Sequence, residues 1–434
     1  MASEVSLEDA AVRELLALSG RGLPLLREWA SEDPRSGVAR ALLMLATGDG
    51  LSDEALKQEL VVAYQDARAV GPRQASLVHG VFLHTHRHYR LTADHLVRHF
   101  AQWPTDEVAG LMLGAFHDCG DPAYREHGDA LVEKQYALAG PDNWAWAGWL
   151  ASARAEQGRV DEAHELAERA LARHPRSGVA AHARAHAEHE LGAGPAAVAF
   201  LDRWLATDPG AMNFGHLNWH AALQSIACGD FPDARRRADT ALAHSDVGMR
   251  AATNWRLLLI GQSPAGRCDP GLVRELLAAP GGMAEVFHTF NLALALAVEA
   301  ATDDLHVLAG RAAADDRPDY RDVLAPVAEA LAHLTGGRPR AAVDLLAGLG
   351  ERVERLGGVR VEREIVQDTL ARALADIGEH ARAADLLHHR VTTRRHHTYE
   401  DLLLTGGENA GGAQLVQQGR APRADPHASS AGSR

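Results

Sequence analysis

The sequence predicts an all-α protein built from stacked helix–turn–helix units of 34 residues that curl around a shared concave groove. Three observations carry this expectation. Two adjacent stretches, opening at Trp144 and Gly178, repeat Gly, Ala and Pro at the same offsets. Ala, Leu and Arg dominate and aromatics are only 5%, and such side chains lose little freedom in a helix. No stretch sustains the period-two alternation of a half-buried strand, so no sheet is expected.

With Trp144 as position 1, Gly158 falls at position 15, Ala163 at 20, Ala167 at 24, Ala170 at 27 and Pro175 at 32. From Gly178 the same positions hold Gly192, Ala197, Leu201 and Pro209, and from Gly215 they hold Gly229, Ala234, Ala238 and Ala241. Gly opens the turn, the small residues let two helices approach, and Pro ends the second helix. Weaker copies lie at Gln74–Pro104 with Ala93, at Gly337, Ala342 and Leu346, and at Gly378, Ala383 and Leu387. These offsets resemble the tetratricopeptide repeat, which implies a right-handed superhelix of roughly 18–22 helices in antiparallel pairs.

The expected layout is a lead-in over 1–20, a first block of repeats over 21–260, a Gly/Pro-rich loop over 261–282, a second block over 283–403 and a disordered tail over 404–434. The tail reading rests on its Gly, Ala, Ser, Pro and Gln content.

A formal net charge of −14 disfavours general nucleic-acid binding. Basic runs such as Arg235–Arg237 and Arg394–Arg395 read as solvated helix faces, and so does the His84, His86, His88 run. The three cysteines, Cys119, Cys228 and Cys268, form no CxxC pair, which argues against a disulfide framework or a thiolate zinc site. The N-terminus has no basic region followed by an apolar one. No apolar run approaches the ~18–20 residues of a membrane span. A cytoplasmic protein is expected, without membrane or nucleic-acid partners and with a homodimer allowed for.

In such repeats the first helix of each pair lines the groove, and positions 2, 5, 6, 9, 12 and 13 point inward. The register then lists groove residues: Trp149 and Glu156 from the first full unit; His182, His186, His189 and Glu190 from the next; His216, Trp219 and His220 from the third; His79 from the weaker early unit. His182 with His186, and His216 with His220, are spaced i, i+4, so each pair shares one helical face. That spacing suits two acid–base groups around one substrate, or a metal. Asn254, Arg256, His288 and Asn291 follow in sequence and are candidate ligand-binding residues beside Trp149, His189, Glu190, Trp219 and His79. The alternative for the histidines is hydrogen bonding between helices. HExxH is absent, since Ala183 follows His182, and so are GxSxG, a Walker loop and a strand-borne GxGxxG. No cofactor is identified, and no residue is assigned to a metal.

The segments HARAHAEHELGAGPAAVAFLDRWL, GHLNWHAAL and NWRLLLIG resemble the tetratricopeptide repeat protein 38 family over about residues 20–403. The resemblance implies a helical superhelix and matches His182, His186, His216, Trp219, His220, Trp255 and Arg256 to the family pattern. It implies no named chemistry. The chain departs from that pattern at Phe287–Asn291, where Asn291 stands in place of a His, and at Gly357–Glu364.

The leading functional expectation is a His-, Trp- and Asn-lined pocket that binds a small polar molecule and acts on it, with His182, His186, His216 and His220 as acid–base groups. A protein-interaction scaffold is the alternative, and a metal-dependent enzyme built on the i, i+4 pairs is the third reading. The four histidines are expected to converge within about 10 Å, since neighbouring first helices pack at about that distance.

Overall fold

The computed structural model describes residues 6–243, 247–266, 268–279 and 282–405. These residues form helices and no strand. In chain order they are α1 (Leu7–Leu16), α2 (Gly22–Glu32), α3 (Gly37–Thr47), α4 (Asp53–Val70), α5 (Pro72–Thr85) and α6 (Tyr89–Gln102). Two short helices, α7 (Glu107–Gly110) and α8 (Ala115–Asp118), lead to α9 (Pro122–Ala139). The central repeats are α10 (Trp144–Glu156), α11 (Val160–Arg173), α12 (Gly178–Glu190), α13 (Pro195–Thr207), α14 (Phe214–Ala227) and α15 (Phe231–Asp239). Then come α16 (Val247–Leu259), α17 (Pro270–Ala278), α18 (Val286–Val298), α19 (Thr302–Ala313), α20 (Ala325–Thr335) and α21 (Pro339–Ala347). The last three are α22 (Arg360–Asp376), α23 (His380–Thr393) and α24 (Thr398–Thr405). The 24 α-helices among the described residues exceed the expected count, because α7 and α8 are single turns and α17 lies where a loop was expected.

The register explains the turns. Gly158, Gly192, Gly229, Gly337 and Gly378 have φ of 74°, 59°, 84°, 72° and 81°. In each turn the residue after the glycine reaches back five positions, as in Arg159 N to Arg154 O at 2.8 Å and Glu379 N to Leu374 O at 2.9 Å. This is the Schellman closure, and only Gly enters the left-handed region without a Cβ clash. Five residues later each unit places an alanine at the helix crossing: Ala163, Ala197, Ala234, Ala342 and Ala383 are all 0% exposed. A larger side chain there would push the pair apart.

These turns differ in what surrounds them. A Cβ on Gly378 would meet nothing within 4 Å, whereas one on Gly192 would sit 2.6 Å from the Arg394 Cβ. Gly378→Ala is therefore expected to cost only the backbone strain, ~1–2 kcal/mol. Gly192→Ala should cost clearly more. Urea unfolding of the two variants checks the order.

Three corrections to the sequence expectations concern boundaries. The 261–282 stretch holds α17, whose Pro270 sits at the helix start after the Asp269 cap, where its missing N–H is harmless. The 1–20 lead-in contains α1, capped by Ser6 and packed on α2 through Ala11 and Leu15. Residues 404 and 405 belong to α24, and the rest of the expected tail, 406–434, lies outside the described residues.

Both terminal regions return to the middle of the chain. Gly178 N donates to Ala17 O at 2.7 Å and Met212 N to Leu18 O at 2.8 Å, tying the end of α1 to the starts of α12 and α14. At the other end, Arg395 N donates to Leu191 O at 3.0 Å and His396 N to Gly192 O at 3.1 Å. The linker before α24 thus lies on the turn after α12. Trp255 Nε1 of α16 donates to Thr369 Oγ1 of α22 at 3.0 Å. Helices α22 and α24 therefore occupy the inner side of α12, α14 and α16.

A buried charge network holds them there. Arg390 donates to Asp368 at 2.7 Å, and Arg394 donates to Glu364 at 2.7 Å and to Glu400 at 3.0 Å. Tyr399 donates to Asp368 at 3.2 Å. Burial alone would raise the Glu364 pKa, but Arg394 and Arg390 more than offset it and hold the carboxyl well below its usual range.

Candidate functional site

Helix α12 has three faces. Ser177 caps its start by accepting from Ala180 N at 3.1 Å. Ala180, Ala183 and Ala187 pack towards α10 and α11, while Ala181 and Ala185 pack on α13 and α14. The remaining face carries His182, His186 and His189. On α14, Leu217 and Ala221 face the α12–α13 side and Ala222 and Ile226 face the following helices, which leaves His216 and His220 turned toward α12. Alanine at every crossing lets the two helices come close enough for the four imidazoles to meet.

They do converge. Between ring centroids, His182 lies 4.4 Å from His186, 4.5 Å from His216 and 5.1 Å from His220. His186 and His220 are 4.6 Å apart. His182 Nε2 is 2.9 Å from both His216 Nε2 and His186 Nε2. One nitrogen from each of the four rings can be chosen so that all lie within 4.8 Å of one another. His186 and His220 are 6% and 1% exposed.

The surroundings disfavour the charged form of three of these rings. Burial, then His216 and His189, pulls the His186 pKa down to about 3. Burial holds His182 and His220 well below the usual imidazole value, helped by their histidine neighbours. A neutral imidazole offers one lone pair and one N–H. Lowered pKa values disfavour the imidazolium form that the general-acid half of the expected pairing would need.

A partly enclosed cavity of about 180 Å³ opens onto His182 and His186. Trp149, Phe116 and Val132 give it apolar walls, and His117, Asp129 and Glu156 give it polar ones. Glu156 accepts from Arg360 N at 3.0 and 3.1 Å, so its carboxylate sits at the N-terminus of α22. Burial raises its pKa, and burial pushes Asp129 up to about 6. Trp149 is thus where the register puts it. His117 and Asp129 were missed because α8 and α9 precede the first clean repeat at Trp144, so no register assigned them a face.

The other sequence candidates divide. Trp219 flanks the cluster, with its ring 5.5 Å from His216 and 5.0 Å from His220. His189 and Glu190 lie one turn further along α12 in a separate group with Glu364, where His189 Nε2 is 3.2 Å from Glu364. The guanidinium of Arg394 bridges these carboxylates, 3.8 Å from Glu190 and 2.7 Å from Glu364. Burial, then Glu364, pushes Glu190 up to about 7.

Five candidates do not join the chamber. His79 lines a different cleft, with Tyr64, His95, Arg98 and Trp103 between α4, α5 and α6. Inward positions of repeats so far apart along the superhelix do not share one cavity. Asn254 clamps Ala265 through both amide atoms, at 3.0 and 2.9 Å, and so fixes the chain after α16. Arg256 donates to Val361 O at 2.9 Å and anchors the start of α22. His288 and Asn291 are half-buried on α18 and are not part of the cavity wall. His84 is half-buried against Tyr89, not on a polar surface, and burial drives its pKa down to about 4.

Residues 154–223 match a family model described as the tetratricopeptide repeat. That span ends just past His220 and so contains all four clustered histidines. No curated protein matches the chain. Among the described residues no helix is long and apolar enough to cross a membrane.

Proposed function

We propose that this tetratricopeptide-like chain binds a small polar molecule in the chamber beside its four histidines and acts on it there. The observation that carries this reading is the cavity of about 180 Å³ with His182 and His186 in its wall. A solvated helix face would not gather neutral imidazoles next to an empty volume. The apolar side formed by Trp149, Phe116 and Val132 suits exclusion of water, and His117, Asp129 and Glu156 suit orientation of polar groups. The four histidines contribute lone pairs, as bases or as ligands.

A protein-interaction role is the commoner use of such repeats. In this chain the inner side of α12, α14 and α16 is already taken by α22 and α24. A partner protein would therefore have to use another surface.

A thermal-shift and calorimetric screen of the whole chain against small carboxylic acids, amines and phosphate esters tests the proposal. His186→Ala should abolish binding of any hit, with helicity intact and a stability loss of only ~1 kcal/mol. Ser152→Trp, which fills the chamber from α10, should do the same. A large stability loss in His186→Ala with ligand affinity unchanged in the folded fraction would assign the histidine to structure. Hits that bind both variants as tightly as the wild type would place the site elsewhere.

A further inference from the structure

We propose that His182, His186, His216 and His220 together bind one divalent transition-metal ion of the imidazole-preferring kind, with the chamber giving a small molecule access to it. This deepens the proposed function and rests on the same site.

The first argument is proton accounting. A neutral imidazole nitrogen carries either one proton or one lone pair. His182 Nε2 stands 2.9 Å from two other imidazole nitrogens, those of His186 and His216. Whichever form it takes, it can make only one full hydrogen bond. The second contact is then left without a full hydrogen bond of its own, whether like atoms face each other or one hydrogen or lone pair is shared between both neighbours. A cation at the centre removes that conflict by accepting every lone pair at once.

The second argument is His220. It is 1% exposed, and neither of its ring nitrogens has a hydrogen-bond partner among the described residues. A buried polar group left this way costs ~1–3 kcal/mol. Its ring lies 4.6 Å from His186 and 5.0 Å from His216 between centroids, beside the same centre. Coordination gives it a partner.

The third argument is geometry. Four ligands about 2.0–2.1 Å from a tetrahedral zinc-sized ion stand ~3.3–3.4 Å apart. The nitrogens here span distances from 2.9 Å up to at most 4.8 Å, which brackets that spacing. Two i, i+4 pairs on adjacent helices make a site from rigid elements, so small side-chain rotations complete it.

The neighbouring group of His189, Glu190 and Glu364 offers a useful contrast. Its nitrogen and oxygens are equally close, but Arg394 and Arg390 already neutralise the carboxylates. It has no need of a metal. The four-histidine centre has no carboxylate among its described ligands. The chamber beside it carries the carboxyls of Glu156 and Asp129. Imidazole donors favour zinc, copper, nickel and iron over magnesium or calcium.

The test uses the untagged full chain. Elemental analysis by mass spectrometry should find about one transition-metal ion per chain. After removal with a chelator, Co²⁺ titration should saturate at one equivalent and give visible ligand-field bands, and Zn²⁺ should raise the melting temperature by several degrees. His216→Asn and His220→Gln should each weaken Co²⁺ binding at least tenfold, and His164→Gln should not. Two variants from different positions are used so that a misfolded one does not decide the outcome. Two results would overturn the inference: no ion in the purified protein together with no Co²⁺ or Zn²⁺ binding by the folded apo chain, or equal binding by the wild type and both site variants. Small-molecule binding by a chain that takes up no Co²⁺ or Zn²⁺ would sink the metal inference and leave the proposed function standing. A bound metal with no ligand in the chamber would do the reverse.

Discussion

Arg390→Met is expected to cost the fold about 3–5 kcal/mol. Arg390 is 5% exposed and reaches Asp368 at 2.7 Å, Glu364 at 3.4 Å and Glu400 at 3.7 Å. Three buried carboxylates would then share the guanidinium of Arg394 and a longer contact from Arg256 to Asp368 at 3.5 Å. Removing one partner leaves charge in a medium that cannot solvate it, which is why breaking a buried pair costs more than the pair itself contributes. Urea denaturation gives the magnitude. The double variant Arg390→Met with Asp368→Leu should recover part of the loss, because it removes both the charge and its orphan. A further loss in the double variant would show that Asp368 matters through Tyr399 and Arg256 and not through Arg390. Limited proteolysis should cut the Arg390→Met chain in the linker between α23 and α24, exposing the inner side of α12.

A second large effect is expected below pH 5. Burial drives the pKa of His84 to about 4, of His117 to about 3 and of His189 to about 4. In the unfolded chain these groups titrate near 6.5. Below that pH the unfolded state binds protons that the folded state refuses, so stability falls as pH falls toward the folded values. At full uptake, three protons correspond to ~4 kcal/mol per pH unit. His182, His186 and His220 add in the same direction in metal-free protein. Asp129, raised to about 6, and Glu362 and Glu190, raised to about 7, act oppositely, since folding favours their protonated forms. Their contribution is complete once the unfolded carboxylates are also protonated, near pH 4–4.5. The two sets therefore oppose each other between pH 5 and 7, and the histidines dominate below. Chemical denaturation across pH 7 to 4 should give a broad plateau and then a fall whose slope reports at least three protons. A flat profile down to pH 4 would contradict the buried-histidine account.

The repeat register was legible because each of its marks is local. Gly158 needs a positive φ for a turn six residues deep, and Ala163 needs to be small for a crossing within its own hairpin. The four-histidine convergence was also legible, because it follows from one helix period and one repeat length. What closes the groove was not. His189 meets Glu364 from 175 residues away, and Arg394 reaches Glu190 and Glu364 from the far end of the chain. Pairing of charged side chains over such separations leaves no periodic trace. His79 failed for a related reason: the register gives a side chain's direction within its own unit, but not which distant units share its cavity. Asn254 and Arg256 were read as ligand contacts because polar residues at inward positions look alike in sequence, whether they meet a substrate or another stretch of backbone.

The backbone bonds that tie Ala17 and Leu18 to the starts of α12 and α14, and Arg395 and His396 to the turn after α12, bear on how the chain comes apart. An open array of repeats can fray from either end, unit by unit, because each unit touches only its neighbours. Here the fastenings join segments roughly 160 to 200 positions apart, so the outer hairpins cannot peel away while the middle stands. Loss of order should be concerted over most of the molecule. Assembly should be correspondingly slow, since loops of that length must close before the fastenings reward them.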